Sequence, residues 1–185
     1  MLGTLTAPRT NMLTWISLVL LLAFFVAGGV DGIYFHMLRF RLWAHPESRT
    51  EHLLHSMRAV VVPPLLWALF LAGPTGLYVA VALVVVDVVA TVLDVVVEPR
   101  SRQRFGGLPR AELALHVAAT VFHIGGIGFA FAGKIAGATP PDPGHVASIV
   151  AGLIVVSTLA AIHHVVLVAC GSPVTQCLPE NRRMA

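Results

Sequence analysis

The sequence predicts an all-α membrane protein, a bundle of about five spanning helices, and three observations carry that prediction. The chain has 185 residues, of which 57% are hydrophobic and only 11% charged, with a mean hydropathy of +0.84; that balance lies far from a water-soluble domain. The apolar residues fall into five blocks of about 20 residues, each enough to cross a ~30 Å hydrocarbon layer at ~1.5 Å per residue. Arginine and lysine concentrate in alternate loops, as membrane topology requires.

The first stretch, Leu13 to Leu38, follows Arg9. Val26-Ala27-Gly28-Gly29 supplies small residues of the kind a signal peptidase cuts after, but the apolar run continues past them into a polar pattern shared by the other stretches. The segment is therefore expected to stay as a span. The second stretch, His52 to Ala72, is set off by His45-Pro46-Glu47-Ser48 before it and by the short Gly73-Pro74-Thr75-Gly76 turn after it. The third, Leu77 to Val97, runs into an arginine-rich loop from Glu98 to Arg110. The fourth, Glu112 to Ala132, precedes the Pro-rich Thr139-Pro140-Pro141-Asp142-Pro143-Gly144. The fifth, Val146 to Ala169, completes what is expected to be one transmembrane domain over residues 1–185.

If all five stretches span, the loops alternate between two sides. One side carries only Arg9 and Lys134. The other carries nine cations, namely Arg39, Arg41, Arg49, Arg100, Arg102, Arg104, Arg110, Arg182 and Arg183. The positive-inside rule makes the nine-cation side cytoplasmic, with the N-terminus outside and the C-terminus inside, in a plasma membrane of bacterial type. Arg100, Arg102 and Arg104 read as topology determinants, with a lipid headgroup or an anionic substrate as the competing role. The formal charge of +3 is explained in the same way and implies no nucleic-acid partner. Cys170 and Cys177 suggest neither a disulfide framework nor a CxxC metal knuckle. The loops hold no phosphate-cradling glycine motif and no nucleophile motif.

Ionisable side chains inside spans cost several kcal/mol unless they are paired, hydrated or ligated, so their positions carry the functional information. Asp31 and His36 lie near the end of the first stretch, and Glu51, His52, His55 and Arg58 at the start of the second. Asp87, Asp94 and Glu98 follow in the third, Glu112, His116 and His123 in the fourth, and His163 and His164 close the fifth. Helical spacing sorts them onto faces: Glu51, His55 and Arg58 at i, i+4, i+7; Asp87, Thr91, Asp94 and Glu98; and Glu112, His116, Thr120 and His123. All five groups sit roughly four to eight residues from the same membrane side, about 6 to 12 Å deep at ~1.5 Å per residue. Asp87 and His123 share a level one or two turns deeper. Carboxylates and imidazoles meeting at one depth from separate helices are how bundles build metal sites.

The expected ligands are therefore Glu51, His55, Asp94, Glu98, Glu112, His116, His163 and His164. Asp31, His36, His52, Arg58, Asp87 and His123 are expected to support them or to ligate in their place, with Arg58 a counter-ion for Glu51 or Asp94. A thiolate-free set rich in carboxylate suits iron, manganese, zinc or copper and can bridge two ions, with two irons as the leading case. Glu51-x-x-x-His55 and Glu112-x-x-x-His116 resemble the Glu-x-x-His pairs of ferritin-like di-iron bundles, at a spacing of four instead of three. His163-His164 is similar to the paired histidines of membrane desaturases and hydroxylases, but the three boxes of that family are missing.

Four functions follow. The first is a metal-dependent membrane oxidoreductase acting on a lipophilic substrate. The second is a b-type cytochrome, with haem held by two of His55, His116, His123 and His163 beside Gly125-Gly126-Ile127-Gly128. The third is a proton or cation conductor relaying through Asp87. The fourth is a structural subunit, or a homo-oligomer, within a larger membrane complex. For single residues the plainer reading is strong: His45 and His145 are expected to be solvated loop histidines, and Asp87 to hydrogen-bond Thr91 or a neighbouring helix.

Overall fold

The structure, a computed structural model, describes residues 7–137 and 142–170, and of Ala7–Asn11 and Cys170 only the backbone. Thr139, Pro140, Pro141, Cys177, Arg182 and Arg183 lie outside the described residues, as does the side chain of Arg9. The described chain is all helix and turn. Five helices are long and apolar enough to cross a membrane, covering Met12–Arg39, Pro46–Phe70, Gly76–Ser101, Arg110–Ile135 and Pro143–Ala169.

Helix α1 runs Ala7–Val30 and passes without a break into a π-helical segment, Asp31–Arg39, which closes on a hydrogen bond from the Phe40 N–H to the Phe35 carbonyl. Two 3₁₀ turns then lead into α2, Arg49–Phe70, which continues through Pro63 and Pro64. The Gly73 turn leads to α3, Gly76–Ser101. Helix α4 is Arg110–Ile135 and α5 is Pro143–Cys170. Asp142 caps α5 by accepting from the His145 backbone N–H at 3.1 Å, with Pro143 in the first turn, where its missing N–H costs nothing. That N–H and the His145 ring hold the Asp142 carboxyl below the usual carboxylate range. Lys134 donates to the Leu69 and Ala72 carbonyls (3.2 and 2.7 Å), tying the end of α4 to the exposed carbonyls at the end of α2.

Packing sets which helices face one another. Helix α1 lies along α4, and α2 lies between α3 and α5. Glycine makes the first pairing close: a Cβ on Gly126 of α4 would lie 2.8 Å from Leu21 of α1, and Ser17 donates to the Gly126 carbonyl at 2.7 Å. Small residues and interhelical hydrogen bonds are the means by which helices associate in lipid, where the hydrophobic effect gives no preference for helix over lipid tail. A Gly126→Val variant is expected to lose about 1–3 kcal/mol of stability from overpacking against Leu21, read as a lower midpoint in denaturant titration of the detergent-solubilised protein; Gly128→Val, whose Cβ meets nothing, is the control.

Two apolar clusters fill the bundle away from the arginine-rich side. Leu18, Leu21, Val62, Leu66, Val146, Val150 and Leu153 join α1, α2 and α5, while Leu65, Ala68, Leu69, Ala80, Ile127 and Ala130 join α2, α3 and α4. A third, smaller cluster of Phe35, Phe40 and Leu42, with Phe105 and Leu115 against it, closes the arginine-rich end. Outward positions such as Val88, Val92 and Val96 on α3 and Leu159 on α5 are exposed and apolar, as lipid contact requires. Between the apolar clusters and the aromatic floor lies a buried polar layer.

Candidate metal centre

The polar layer begins with a change of helical pitch. In an α-helix at ~100° per residue, positions five apart point ~140° away from each other. Asp31 and His36 are five apart, yet the π-helical segment widens the turn and brings both to the inner face, where both are buried. Helix α2 presents Glu51 and His55, α3 presents Asp94 and Glu98, and α4 presents Glu112 and His116, each pair at i, i+4. Four helices thus contribute two ligand-type side chains each.

These eight meet around three imidazoles. His36 and His55 have ring centroids 4.5 Å apart, His55 and His116 5.9 Å, and His36 and His116 6.1 Å. His36 Nε2 lies 3.5 Å from Asp31, 3.8 Å from Glu51 and 3.6 Å from Glu112. His55 Nε2 lies 3.3 Å from Asp94 and 3.9 Å from Glu51. His116 Nδ1 is 3.1 Å from Glu98 and 3.7 Å from Asp31, and its Nε2 is 3.8 Å from Asp94. Three overlapping groups, Asp31/His36/His116, His36/Glu51/His55 and His55/Asp94/His116, each place three ligand atoms within 4.8 Å of one another and could hold a metal ion.

Arg102 organises one side of the layer. It is the C-cap residue of α3 and is fully buried. Its Nη1 donates to Glu51 Oε2 at 2.8 Å and its Nε to Glu112 Oε1 at 3.0 Å, with Nη2 on the same Glu112 oxygen. Ser101 also donates to Glu51, and the guanidinium stands 5.3 Å from the Phe40 ring centroid. Each of these two glutamates therefore has one oxygen held by the protein, while Glu51 Oε1 and Glu112 Oε2 have no hydrogen-bond partner.

That orphaning runs through the whole set. All eight residues bear a buried polar atom with no hydrogen-bond partner: Asp31 Oδ1, His36 Nε2, Glu51 Oε1, His55 Nε2, Asp94 Oδ1, Glu98 Oε1, Glu112 Oε2 and His116 Nδ1. At ~1–3 kcal/mol for each unsatisfied buried group, eight of them rival the whole ~5–15 kcal/mol stability of a domain. Water or a bound ion would satisfy them. The histidine–carboxylate contacts at 3.1–3.9 Å do not, because none of them is aligned as a hydrogen bond. One level deeper, His123 Nε2 and Asp87 Oδ2 form an aligned hydrogen bond at 2.8 Å, although His123 Nδ1, like His52 Nε2 and His164 Nδ1 outside the set, also lacks a partner. Two ligands sharing one ion through ~2.1 Å bonds stand ~3.0 Å apart when cis and ~4.2 Å when trans, and the observed contacts fall between these limits.

Of the eight, Glu98 and Glu112 border the three groups without belonging to them, and the other residues singled out by sequence also fall outside. Buried Asp87 and His123 form their own unit with half-buried Arg58, whose Nε lies 3.3 Å from Asp87 Oδ1. Arg58 is thus paired with neither Glu51 nor Asp94. Thr91 hydrogen-bonds the Asp87 backbone carbonyl (2.8 Å), not its carboxylate. His52 is buried beside His164, with ring centroids 5.1 Å apart, and His163 is exposed on α5, where with His164 it borders the space next to His36, His55 and His116. Gly126 of the Gly125–Gly128 run is occupied in packing α4 against α1. Sequence reasoning assigned Arg102 to topology and missed its burial; the available signal was its i+4 spacing from Glu98 beside a serine.

Fold and site together define an integral membrane helical bundle with buried histidine and carboxylate groups that could hold a metal ion. Comparison of the chain with protein families, with curated proteins and with solved structures finds no match.

Proposed function

We propose that the protein is a membrane metalloprotein whose centre holds two divalent transition-metal ions, iron first among them, and serves redox chemistry on a lipid-soluble substrate. The observation that carries this reading is the set of eight orphaned ligand atoms from four helices. Charge supports the number of ions. With the imidazoles neutral as ligands and all five carboxylates (Asp31, Glu51, Asp94, Glu98, Glu112) ionised, the guanidinium of Arg102 leaves four negative charges among the described residues of this buried layer, and two divalent cations balance four. Water could satisfy hydrogen-bonding capacity there but would leave the charge, which burial makes costly.

The donor chemistry narrows the metal. Imidazole and carboxylate without thiolate favour iron, manganese or zinc over soft ions, and a carboxylate-rich pair of sites suits ions that change oxidation state. Arg102 and Ser101 would fix the orientation of Glu51 and Glu112, as hydrogen-bonded partners of metal ligands do. Elemental analysis of protein purified in mild detergent from metal-replete cells is expected to find close to two transition-metal ions per chain and an optical spectrum without a Soret band. A folded sample free of metal would end this reading, and a Soret band would replace it with haem.

A further inference from the structure

Beside the centre lies a cavity of about 500 Å³ enclosed by α1, α2, α4 and α5, a volume in the range that takes a drug-sized ligand. His36, His55 and His116, the three imidazoles of the candidate metal centre, line it together with Asp31, His163 and His164, and much of the remaining wall is apolar, including Phe24, Phe25 and Val62. Ile33 of the first span and Val156 of α5 also line it, yet they are 58% and 55% exposed on the outside of the bundle. A residue that belongs both to a cavity wall and to the outer surface marks a mouth. Val156 stands midway along the span Pro143–Ala169, so the mouth opens between α1 and α5 onto hydrocarbon, not water.

The glycines on the α1 side support an occupied space. Gly29 and Gly32 line the cavity, and a Cβ on either would meet nothing within 4 Å. Unlike Gly126, neither glycine is needed for a close helix contact. Glycine within a helix is less stable than alanine, and an unfilled apolar cavity is destabilising; an apolar molecule in the space answers both. Charge limits the head of that molecule. Arg58, the one Arg or Lys among the described residues that line the cavity, is already paired with Asp87. The neighbouring layer is rich in carboxylate, which disfavours an anionic head.

We propose that this cavity admits, sideways from the bilayer, a neutral lipid-soluble molecule with a hydrocarbon body and one oxygen-bearing head placed at His36, His55 and His116. The choice of an oxygen head rests on the metal reading, because a carboxylate- and imidazole-bound ion prefers a hard ligand; the route between α1 and α5 does not.

The test uses the full chain in phosphatidylcholine liposomes and a dodecanol probe carrying a photoreactive diazirine on its chain, with labelled residues located by mass spectrometry and metal content measured on the same sample. Labels are expected on Phe24, Phe25 and Val62, to be competed by plain dodecanol and to fall at least tenfold in Gly32→Leu. Val156→Trp, which narrows the mouth from the other helix, is expected to do the same. The corresponding dodecanoate probe should label these positions at least tenfold less. Labels confined to outward positions such as Val88 and Val92, or undiminished in both folded variants, would overturn the lateral route, and equal labelling by the carboxylate probe would overturn the neutral head. Metal without cavity labelling would sink this proposal and spare the metal centre; cavity labelling without metal would do the reverse.

Discussion

Replacing His36 with alanine is expected to weaken metal binding by more than a hundredfold while leaving a folded bundle. His36 Nε2 belongs to two of the three candidate groups and lies within 3.5–3.8 Å of Asp31, Glu51 and Glu112. Among the described residues, no other side-chain atom of the layer approaches three carboxylates within 4 Å. Loss of a residue that merely supports a ligand costs about 10–100-fold in metal affinity, so loss of a ligand shared by two sites should cost more. The check is metal retained per chain after equilibration against a graded series of chelators, with helicity followed by circular dichroism. His145→Ala, at the exposed start of α5, is expected to retain metal like the parent. Equal retention by His36→Ala would remove that side chain from the centre.

The largest stability effect is expected at Arg102. Its guanidinium is fully buried between Glu51 and Glu112, and Arg102→Met keeps much of the volume while leaving two buried carboxylates without their counter-charge. Breaking a buried ion pair from one side costs about 3–5 kcal/mol. Arg102→Lys should fall between, because an ammonium restores the charge but not the fork that reaches both carboxylates. Denaturant titration in detergent would measure both, after metal removal so that ligation does not mask the difference. A loss below about 1 kcal/mol in Arg102→Met, the level of an exposed pair, would show that the arginine is solvated and not part of the layer.

The fold was legible because its determinants are additive along the chain. Block hydropathy and the nine-to-two distribution of cations require no knowledge of neighbours, and the five helices lie where the blocks are. They run a few residues further, as at Glu98–Ser101 of α3, because helical hydrogen bonding continues past the last apolar residue while hydropathy stops there. Part of the polar layer was legible for the same reason: Glu51/His55, Asp94/Glu98 and Glu112/His116 are i, i+4 pairs, and a regular helix needs no tertiary information to put them on one face.

What sequence spacing could not convey depended on departures from the regular helix or on tertiary contact. Asp31 and His36 come to one face only through the π-helical segment, so an α-helical wheel separates them and assigns them a supporting role. Arg102 lies just past the end of a span, where an arginine ordinarily marks sidedness; that it turns inward depends on Glu51 and Glu112, 51 and 10 residues away. Which helix neighbours which was equally hidden. The pairing of α1 with α4 and of α2 with α5 puts His163 at the rim of the neighbouring cavity and not in the three ligand groups, although its depth matches that of the other histidines.

Anomalous diffraction from crystals grown in a lipidic phase, collected on both sides of the absorption edge of the metal found by elemental analysis, would locate the ions. Two peaks are expected in the layer bounded by His36, His55 and His116, within bonding distance of Asp31, Glu51 and Asp94. A peak at His52 and His164 alone, or no peak in crystals whose side chains are ordered, would contradict the two-metal centre.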